Sequence, residues 1–336
     1  MVKKAFVAVL AVGLAYGAGA HAEATKLKFA VFTPSKEMTY INIMKPFAAN
    51  VAKASQGTVE FELFPDGALG RNPGQQVKMV QDGVADLAWI IPSYTPGVFL
   101  DDEVFELPGI VRNSKEGSIA VWRLWEKGLV RGYENLVPLA ILTTDPYTVH
   151  TNFTVNKLDD LKGKKIRAAG PVASDAVKAI GAVPVGMPFT QVTESISRHV
   201  IDGTLAHPIS LYDFGVSKVA THHYLARFGT VTLAIVMNKA KFDALPKPAK
   251  DAFLKYRGEP LSRAFGDMAI KRNNELIALW SKDKKDQVVR LNDAAEAEFY
   301  TTVTPVISAW QAKSDRNKQL FDALQAELGK IRAGGS

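Results

Sequence analysis

Predicted strands and helices alternate in two separate runs along this 336-residue chain, and this alternation limits its fold more than any other feature. The first run begins with the strand "KLKFAVF", which we expect to end at Phe32. A helix with apolar residues spaced from Met44 to Val51 comes next. The strand "TVEFELF", the helix "PGQQVKMVQDG" and the apolar strand "ADLAWII" follow. This order is typical of an α/β fold with a largely parallel sheet.

The same alternation restarts with the strand "KKIRAA", and it predicts a second α/β lobe of related build. A helix, the strand "AVPVGM", the helix "FTQVTESISRHVIDG" and the strand "TLAHPIS" complete this run. One more strand is expected from Val231 to Asn238, and the chain then becomes almost entirely helical. The last helix carries an apolar stripe, which we expect to pack on the same molecule or, alternatively, to form a dimer interface: Leu320, Leu324, Leu328 and Ile331.

The first residues are typical of a secretory signal peptide. Lys3 and Lys4 precede the apolar run "AFVAVLAVGLAYGAGA", and "AHA" then supplies the small residues of a cleavage site before Glu23. We therefore predict a signal peptide over residues 1–22 and an exported, periplasmic protein; an uncleaved anchor is the alternative. The absence of cysteine excludes disulfides, thiolate metal sites and cysteine nucleophiles. The 41 Lys+Arg against 34 Asp+Glu are scattered, so no nucleic-acid partner is expected.

Motifs for catalysis or cofactor binding do not occur. The chain has no G-x-S-x-G, no Walker-type phosphate loop and no G-x-G-x-x-G, and its histidines lack the spacing of metal ligands. His222 and His223 are adjacent, and we expect them to form a surface pair. We therefore predict neither enzymatic activity nor a metal or cofactor. A two-domain exported protein without catalytic groups favours capture of a ligand in the cleft between its domains.

Several phrases, in order from Leu27 to Pro246, resemble the solute-binding proteins of tripartite ATP-independent periplasmic (TRAP) transporters, the DctP-like family. In this chain, "LKFAVFTP" resembles the opening strand and ligand loop of the family. The phrase "GTVEFELFPDGALG" resembles the family's G-x-V-x-x-x-x-F-P-x-G-x-L-G. Further along, "VKMVQDGVADLAW", "FELPGIV", "LDDLKGKKIRAAGP", "GAVPVGMPFTQV", "VIDGTLAHP" and "VMNKAKFDALP" are similar to its later phrases. Each phrase is weak alone, whereas the ordered set is specific.

The resemblance implies a receptor that binds a small organic acid between two lobes, closes, and delivers it to membrane permease subunits. The arginine of the family's K-I-R phrase pairs with the ligand carboxylate, and that position is Arg167 here. A planar guanidinium presents parallel donors that fit a carboxylate. The small residues after Arg167 leave space, and Pro171 begins a helix whose N-terminus would favour an anion. An ion pair within one domain is the alternative role for Arg167.

Two departures from the family pattern bear on the ligand. Thr148 aligns with a second arginine that relatives for multiply charged acids often carry, and His207 stands where they often have a carboxamide. One cation and many aromatic residues favour a monocarboxylate with an apolar or aromatic body, with a 2-oxo acid, hydroxy acid or dicarboxylate as alternatives. Besides Arg167 and His207, the predicted ligand-binding residues are Phe32, Trp89, Ser93, Tyr94, Tyr147, Phe189, Tyr212 and Phe214.

The predicted division of the chain follows from the resemblance and the order of elements. We expect lobe I to comprise 23–147 with 233–275, lobe II to comprise 148–232 with 276–304, and 305–336 to form a C-terminal helix. Hinges are expected near 145–150 and 230–235. The sequence leaves open a periplasmic enzyme or a sensory module on the same fold, and it leaves open a monomer or a dimer.

Overall fold

The computed structural model describes residues 23–334, so the predicted signal peptide lies outside the described residues. The strands are β1 Thr25–Ala30, β2 Val59–Phe64, β3 Leu87–Ile90, β4 Leu136–Thr143, β5 Thr148–Thr151, β6 Lys165–Ala168, β7 Val183–Gly186, β8 Gly203–Ala206, β9 His222–Tyr224, β10 Thr232–Asn238 and β11 Gln287–Val289. The helices are α1 Lys45–Ala54, α2 Gln76–Gln81, α3 Ser114–Glu126, α4 Pro171–Ala179, α5 Val192–Ser197, α6 Pro208–Asp213, α7 Lys239–Ala244, α8 Lys247–Tyr256, α9 Glu259–Trp280, α10 Asp293–Ala312 and α11 Asp315–Ala333.

The strands form two sheets, one for each predicted run of alternation. The first sheet has the order β2-β1-β3-β10-β4, and the second has the order β11-β9-β5-β8-β6-β7. Both sheets are mixed, because β10 runs antiparallel to β3 and β4, and β5 runs antiparallel to β8 and β9. The sequence predicts the parallel βαβ units correctly. The strand expected from Val231 to Asn238 is β10, whereas alternation reveals neither β5 nor the antiparallel direction of these two strands, which are not reached through a crossover helix.

Apolar runs account for the central strands. Every residue of β3, β4 and β8 is buried, as expected of strands covered on both faces. The predicted helix "FTQVTESISRHVIDG" is shorter than expected: α5 ends at Ser197, and His199 has a φ of 56°. The predicted strand "TLAHPIS" also ends early, at Ala206, because Pro208 begins α6.

Two of the three connections between the sheets, named the crossing segments, bond to each other; the third, from β10 to β11, runs through α7, α8 and α9. Residues 144–147 connect β4 to β5, and residues 225–231 connect β9 to β10. The Thr144 N–H donates to the Val231 carbonyl (3.0 Å), the Tyr147 N–H donates to the Gly229 carbonyl (3.0 Å), and Tyr147 in turn accepts from the Phe228 N–H (2.9 Å). The hinges expected near 145–150 and 230–235 overlap these paired segments.

The C-terminal region consists of two helices, α10 and α11, and the boundary predicted at residue 305 falls inside α10 at Pro305. The apolar stripe of α11 is buried in the same cluster as α3 of the same chain, so its side chains are not available to a second copy. The long helix α9 packs on α3 and also on α6. Between residues 23 and 334, no helix combines the length and the apolar character needed to cross a membrane.

Candidate functional site

A small cavity lies between the two sheets, at the crossing segments. Its volume of about 50 Å³ is several times the roughly 10–15 Å³ that one water needs, so it suits a compact ligand. Six of the predicted aromatic residues line it: Phe32, Trp89, Tyr94, Tyr147, Phe189 and Phe214. The wall is completed by residues from both sheets, namely Thr33, Glu37, Thr39, Ile91, Thr144, His207, Ile209, Ser210, Leu233 and Phe265.

Arg167 stands beside this cavity, fully buried on β6. Its Nε donates to the Met187 carbonyl (2.9 Å), its Nη1 to the Leu205 carbonyl (3.4 Å) and its Nη2 to Tyr94 Oη (2.8 Å). The guanidinium also lies 5.2 Å from the centre of the Phe189 ring. No carboxylate within the described part of the chain forms an ion pair with Arg167. Three of its five N–H donors are used, so each terminal nitrogen retains one.

Tyr94 connects Arg167 to the cavity. Its hydroxyl oxygen accepts from Arg167 and also from the Phe189 N–H (3.0 Å). Because the oxygen accepts twice, the Tyr94 hydroxyl proton remains free to donate to an anion. Tyr147 lies nearby, and burial raises the pKa of its hydroxyl well above the usual range. It therefore stays protonated and serves as a neutral polar group beside the cation.

His207 lies directly before α6, with its ring 5.9 Å from that of Tyr147. Its Nδ1 is inaccessible to solvent and has no hydrogen-bond partner within residues 23–334. Burial lowers the pKa of His207 to about 4, whereas the Asp145 carboxylate and Asn273 act in the opposite direction. At neutral pH the imidazole is therefore uncharged and can donate or accept one hydrogen bond in the cavity.

Glu37 and Thr33 line the cavity, although nothing in the sequence marks them as ligand-binding residues. The Glu37 carboxylate accepts from the Thr39 N–H (3.0 Å) and the Tyr40 N–H (2.8 Å). Burial raises its pKa to about 7, the bonds from Thr39 and Tyr40 oppose the shift, and Asp213 adds to it. A lone carboxylate in a loop gave no signal in the sequence, because only the folded chain brings it into the cavity.

The structure does not bring Tyr212 and Ser93 to the cavity wall. Tyr212 is 49% exposed, and the Arg272 guanidinium lies 5.1 Å from the centre of its ring. Tyr212 lies on α6, and the turn of this helix directs its side chain outward while the neighbouring Asp213 is buried. Ser93 lies instead near Gly170 and Glu106, where a Cβ on Gly170 would be 3.1 Å from Ser93 Cβ. Thus the start of α4 faces Glu106 and Ser93.

The residue aligned with a second arginine, Thr148, lies on β5 outside the cavity wall. Its hydroxyl is 2.8 Å from His150 Nε2. The expectation of a surface pair at His222 and His223 is wrong for His223. That side chain is buried, its Nδ1 is 2.8 Å from His150 Nδ1, and it stacks on Trp280 at 4.3 Å between ring centres. Alternation along β9 turns His223 inward and leaves His222 partly exposed.

No group of three or more His, Asp or Glu side chains between residues 23 and 334 is arranged to hold a metal ion.

The sequence model of the family described as bacterial extracellular solute-binding protein, family 7 (DctP) matches residues 29–314. The chain belongs to this family. As a member of this family it is an extracytoplasmic solute receptor, and it has the two-lobed fold of its structural relatives.

Solved structures of TRAP solute-binding proteins are similar to this one over nearly its whole length. A TRAP solute-binding protein from Rhodoferax ferrireducens, in complex with copurified benzoate, has a TM-score of 0.88 and 26% identity, covering 93% of this chain and 100% of that one. A marine metagenome receptor specific for aromatic acid ligands, with 3-hydroxybenzoate, has a TM-score of 0.87 and 25% identity, covering 92% and 99%. The C4-dicarboxylate-binding periplasmic protein of Rhodobacter capsulatus is 25% identical over 269 residues, 77% of this chain and 75% of that protein.

Proposed function

We propose that this family 7 protein is the periplasmic receptor of a TRAP-type transporter, and that it binds a small aromatic monocarboxylate. The observation that carries the proposal is Arg167: a buried guanidinium with two unused donors, beside a small cavity walled by aromatic rings. A carboxylate is the group that best matches those donors, since it provides the charge and two acceptor oxygens. The Tyr94 hydroxyl proton would provide a third donor.

The cavity favours one carboxylate over two. Within the described chain its wall contains no lysine or arginine, and the position of a second arginine is Thr148, which is directed to His150. A second carboxylate would therefore be desolvated without a cationic partner, which is costly. A dicarboxylate, which the Rhodobacter capsulatus relative is named for binding, fits these residues less well.

Two structural relatives support an aromatic body. The receptors crystallised with benzoate and with 3-hydroxybenzoate are 26% and 25% identical to this chain and share its fold almost throughout. The rings of Trp89, Phe189 and Phe214 form an apolar wall suited to an aromatic ring.

The proposal also covers export and delivery. Residues 1–22 are removed on export, and closure involves the crossing segments. The closed receptor is then recognised by membrane permease subunits.

The test is a calorimetric titration of the mature protein with benzoate, phenylacetate, pyruvate and succinate. We expect the aromatic acids to bind and to be recovered unchanged. Arg167→Ala removes one partner of a buried charge pair, so affinity should fall by about 30-fold or more. Arg167→Lys keeps the charge but loses the planar fork, and it should bind with intermediate affinity.

Arg198→Ala is the matched control, because Arg198 is exposed and forms a surface ion pair with Glu194. It should bind like the parent protein. Undiminished binding by Arg167→Ala would refute the assignment of the anchor. Exclusive binding of succinate would refute the ligand class, and conversion of the bound acid would show an enzyme instead of a receptor.

A further inference from the structure

The cavity contains more polar groups than a plain aromatic acid can satisfy. Thr33 is 4% exposed, and its hydroxyl has no hydrogen-bond partner within the described chain. The Glu37 carboxylate is 7% exposed, and each of its oxygens accepts one backbone N–H and retains a second lone pair. His207 Nδ1 lines the same wall and, like the Thr33 hydroxyl, has no hydrogen-bond partner within the described chain. A wholly apolar ring would bury the Thr33 hydroxyl and His207 Nδ1 unpaired and leave the remaining lone pairs of Glu37 unused, at a cost in binding free energy.

These groups and Arg167 lie toward different ends of α6. Arg167 bonds to the Leu205 carbonyl, just before that helix, whereas the Met38 N–H, next to Glu37, bonds to Asp213 (3.0 Å) in its last turn. At about 1.5 Å per residue, the six steps from 207 to 213 span roughly 9 Å. A single aromatic ring with substituents on two sides can extend over most of that distance.

We propose that the ligand is an aromatic acid that carries a hydroxyl group away from its carboxylate, and that Glu37 accepts the hydrogen bond from this hydroxyl. The inference rests on the proposed function, since Arg167 must hold the carboxylate for the hydroxyl to reach Glu37. Thr33 lies in the same loop after β1 and offers a second contact to the hydroxyl oxygen. Glu37 is thereby a specificity-determining residue, whereas Arg167 sets the charge class.

The test compares ligands that differ only in the group facing Glu37. A methyl group is close in size to a hydroxyl but cannot donate a hydrogen bond, so 3-hydroxybenzoate is paired with 3-methylbenzoate, and 4-hydroxybenzoate with 4-methylbenzoate. In at least one pair the parent protein should bind the hydroxyl member about tenfold more tightly or better, as expected for a hydrogen bond to a charged group. The ratio within a pair cancels general effects on folding and closure.

Glu37→Gln should reduce that preference to about threefold or less, because one carboxylate oxygen becomes an amide group that donates. Glu60→Gln is the control, since Glu60 is exposed on β2, and it should preserve the preference. If Glu37→Gln does not fold, the parent protein alone supplies the test through pH. The hydroxyl preference should rise between about pH 6 and about pH 8 as Glu37 ionises, while the affinity for the methyl member changes less.

Other titrating groups near Glu37 are separable from this effect. Asp213 of α6 is the acidic neighbour, with Lys36 and Arg272 close to it. His207, across the cavity, has a pKa of about 4 and stays neutral over this range. The inference would be overturned, and the proposed function kept, by either of two results. One is a parent protein that binds aromatic acids without preferring a hydroxyl, and the other is a Glu37→Gln variant that keeps the parental ratio. Failure of every aromatic acid to bind would overturn the proposed function with it.

Discussion

The carboxyl group of Glu106 provides a direct test of the packing between the two sheets. The side chain is 4% exposed, and its Oε2 lies 2.9 Å from where a Cβ on Gly170, just before α4, would be. Burial raises its pKa to about 8, Glu103 and Asp102 add to the shift, and Ser93 and the Ala173 amide oppose it. At neutral pH most Glu106 side chains are therefore protonated in the folded protein and ionised in the unfolded one.

The sign of the pH dependence follows from this difference. Because the folded-state pKa lies above the ordinary value of 4.5, stability is fully present below about pH 4.5 and is lost as the pH rises to about 8. The difference between a pKa of about 8 and the ordinary value of 4.5 limits this loss of stability to about 4–5 kcal/mol. Glu106→Gln has nearly the same shape and does not titrate, so it should match the parent near pH 4.5 and be more stable above pH 8.

The assay is urea unfolding of both proteins at about pH 5 and about pH 8.5, with the unfolding free energies subtracted at each pH. The difference should grow by about 2–5 kcal/mol in favour of Glu106→Gln at the higher pH. Glu37, whose pKa is also raised, is present in both proteins and cancels. Glu126→Gln, at an exposed position, should give no such change. An equal difference at both pH values would refute a buried, neutral Glu106.

Three further predictions concern other parts of the fold. Gly229→Ala should destabilise the protein by about 1–3 kcal/mol or more in urea unfolding, because its Cβ would lie 1.7 Å from the Glu106 carbonyl oxygen; parental stability would contradict this. Leu324→Ala in the buried stripe of α11 should cost about 2–5 kcal/mol, whereas an exposed stripe would cost almost nothing. Burial lowers the pKa values of His150 and of His223, the latter to about 4, so stability is lost as the pH falls from about 6.5. In His223→Asn the free energy of unfolding should fall less between about pH 6.5 and about pH 4. An unchanged pH dependence would count against the buried pair.

The sequence by itself determined the fold class, the family and the identity of the predicted anchor. Short periodic segments define strands and helices locally, so the two βαβ runs could be read directly, with errors of a few residues at their ends. The ordered phrases identified the family, which the match over residues 29–314 confirms. Arg167 was marked because a charged residue inside an apolar strand requires a partner. Its role as the anchor stays a prediction until binding is measured.

Only the tertiary structure decided which side chains share the cavity. Glu37, Thr33 and Phe265 come from a loop and a helix far apart in the chain, and no local pattern links them. Tyr212 and His223 show the same limit, since one-residue differences on a helix or strand decide whether a side chain faces the interior. Strand β10 likewise joins the first sheet across a crossing segment. Sequence patterns report local periodicity, whereas burial, pairing and pKa shifts depend on contacts between distant residues.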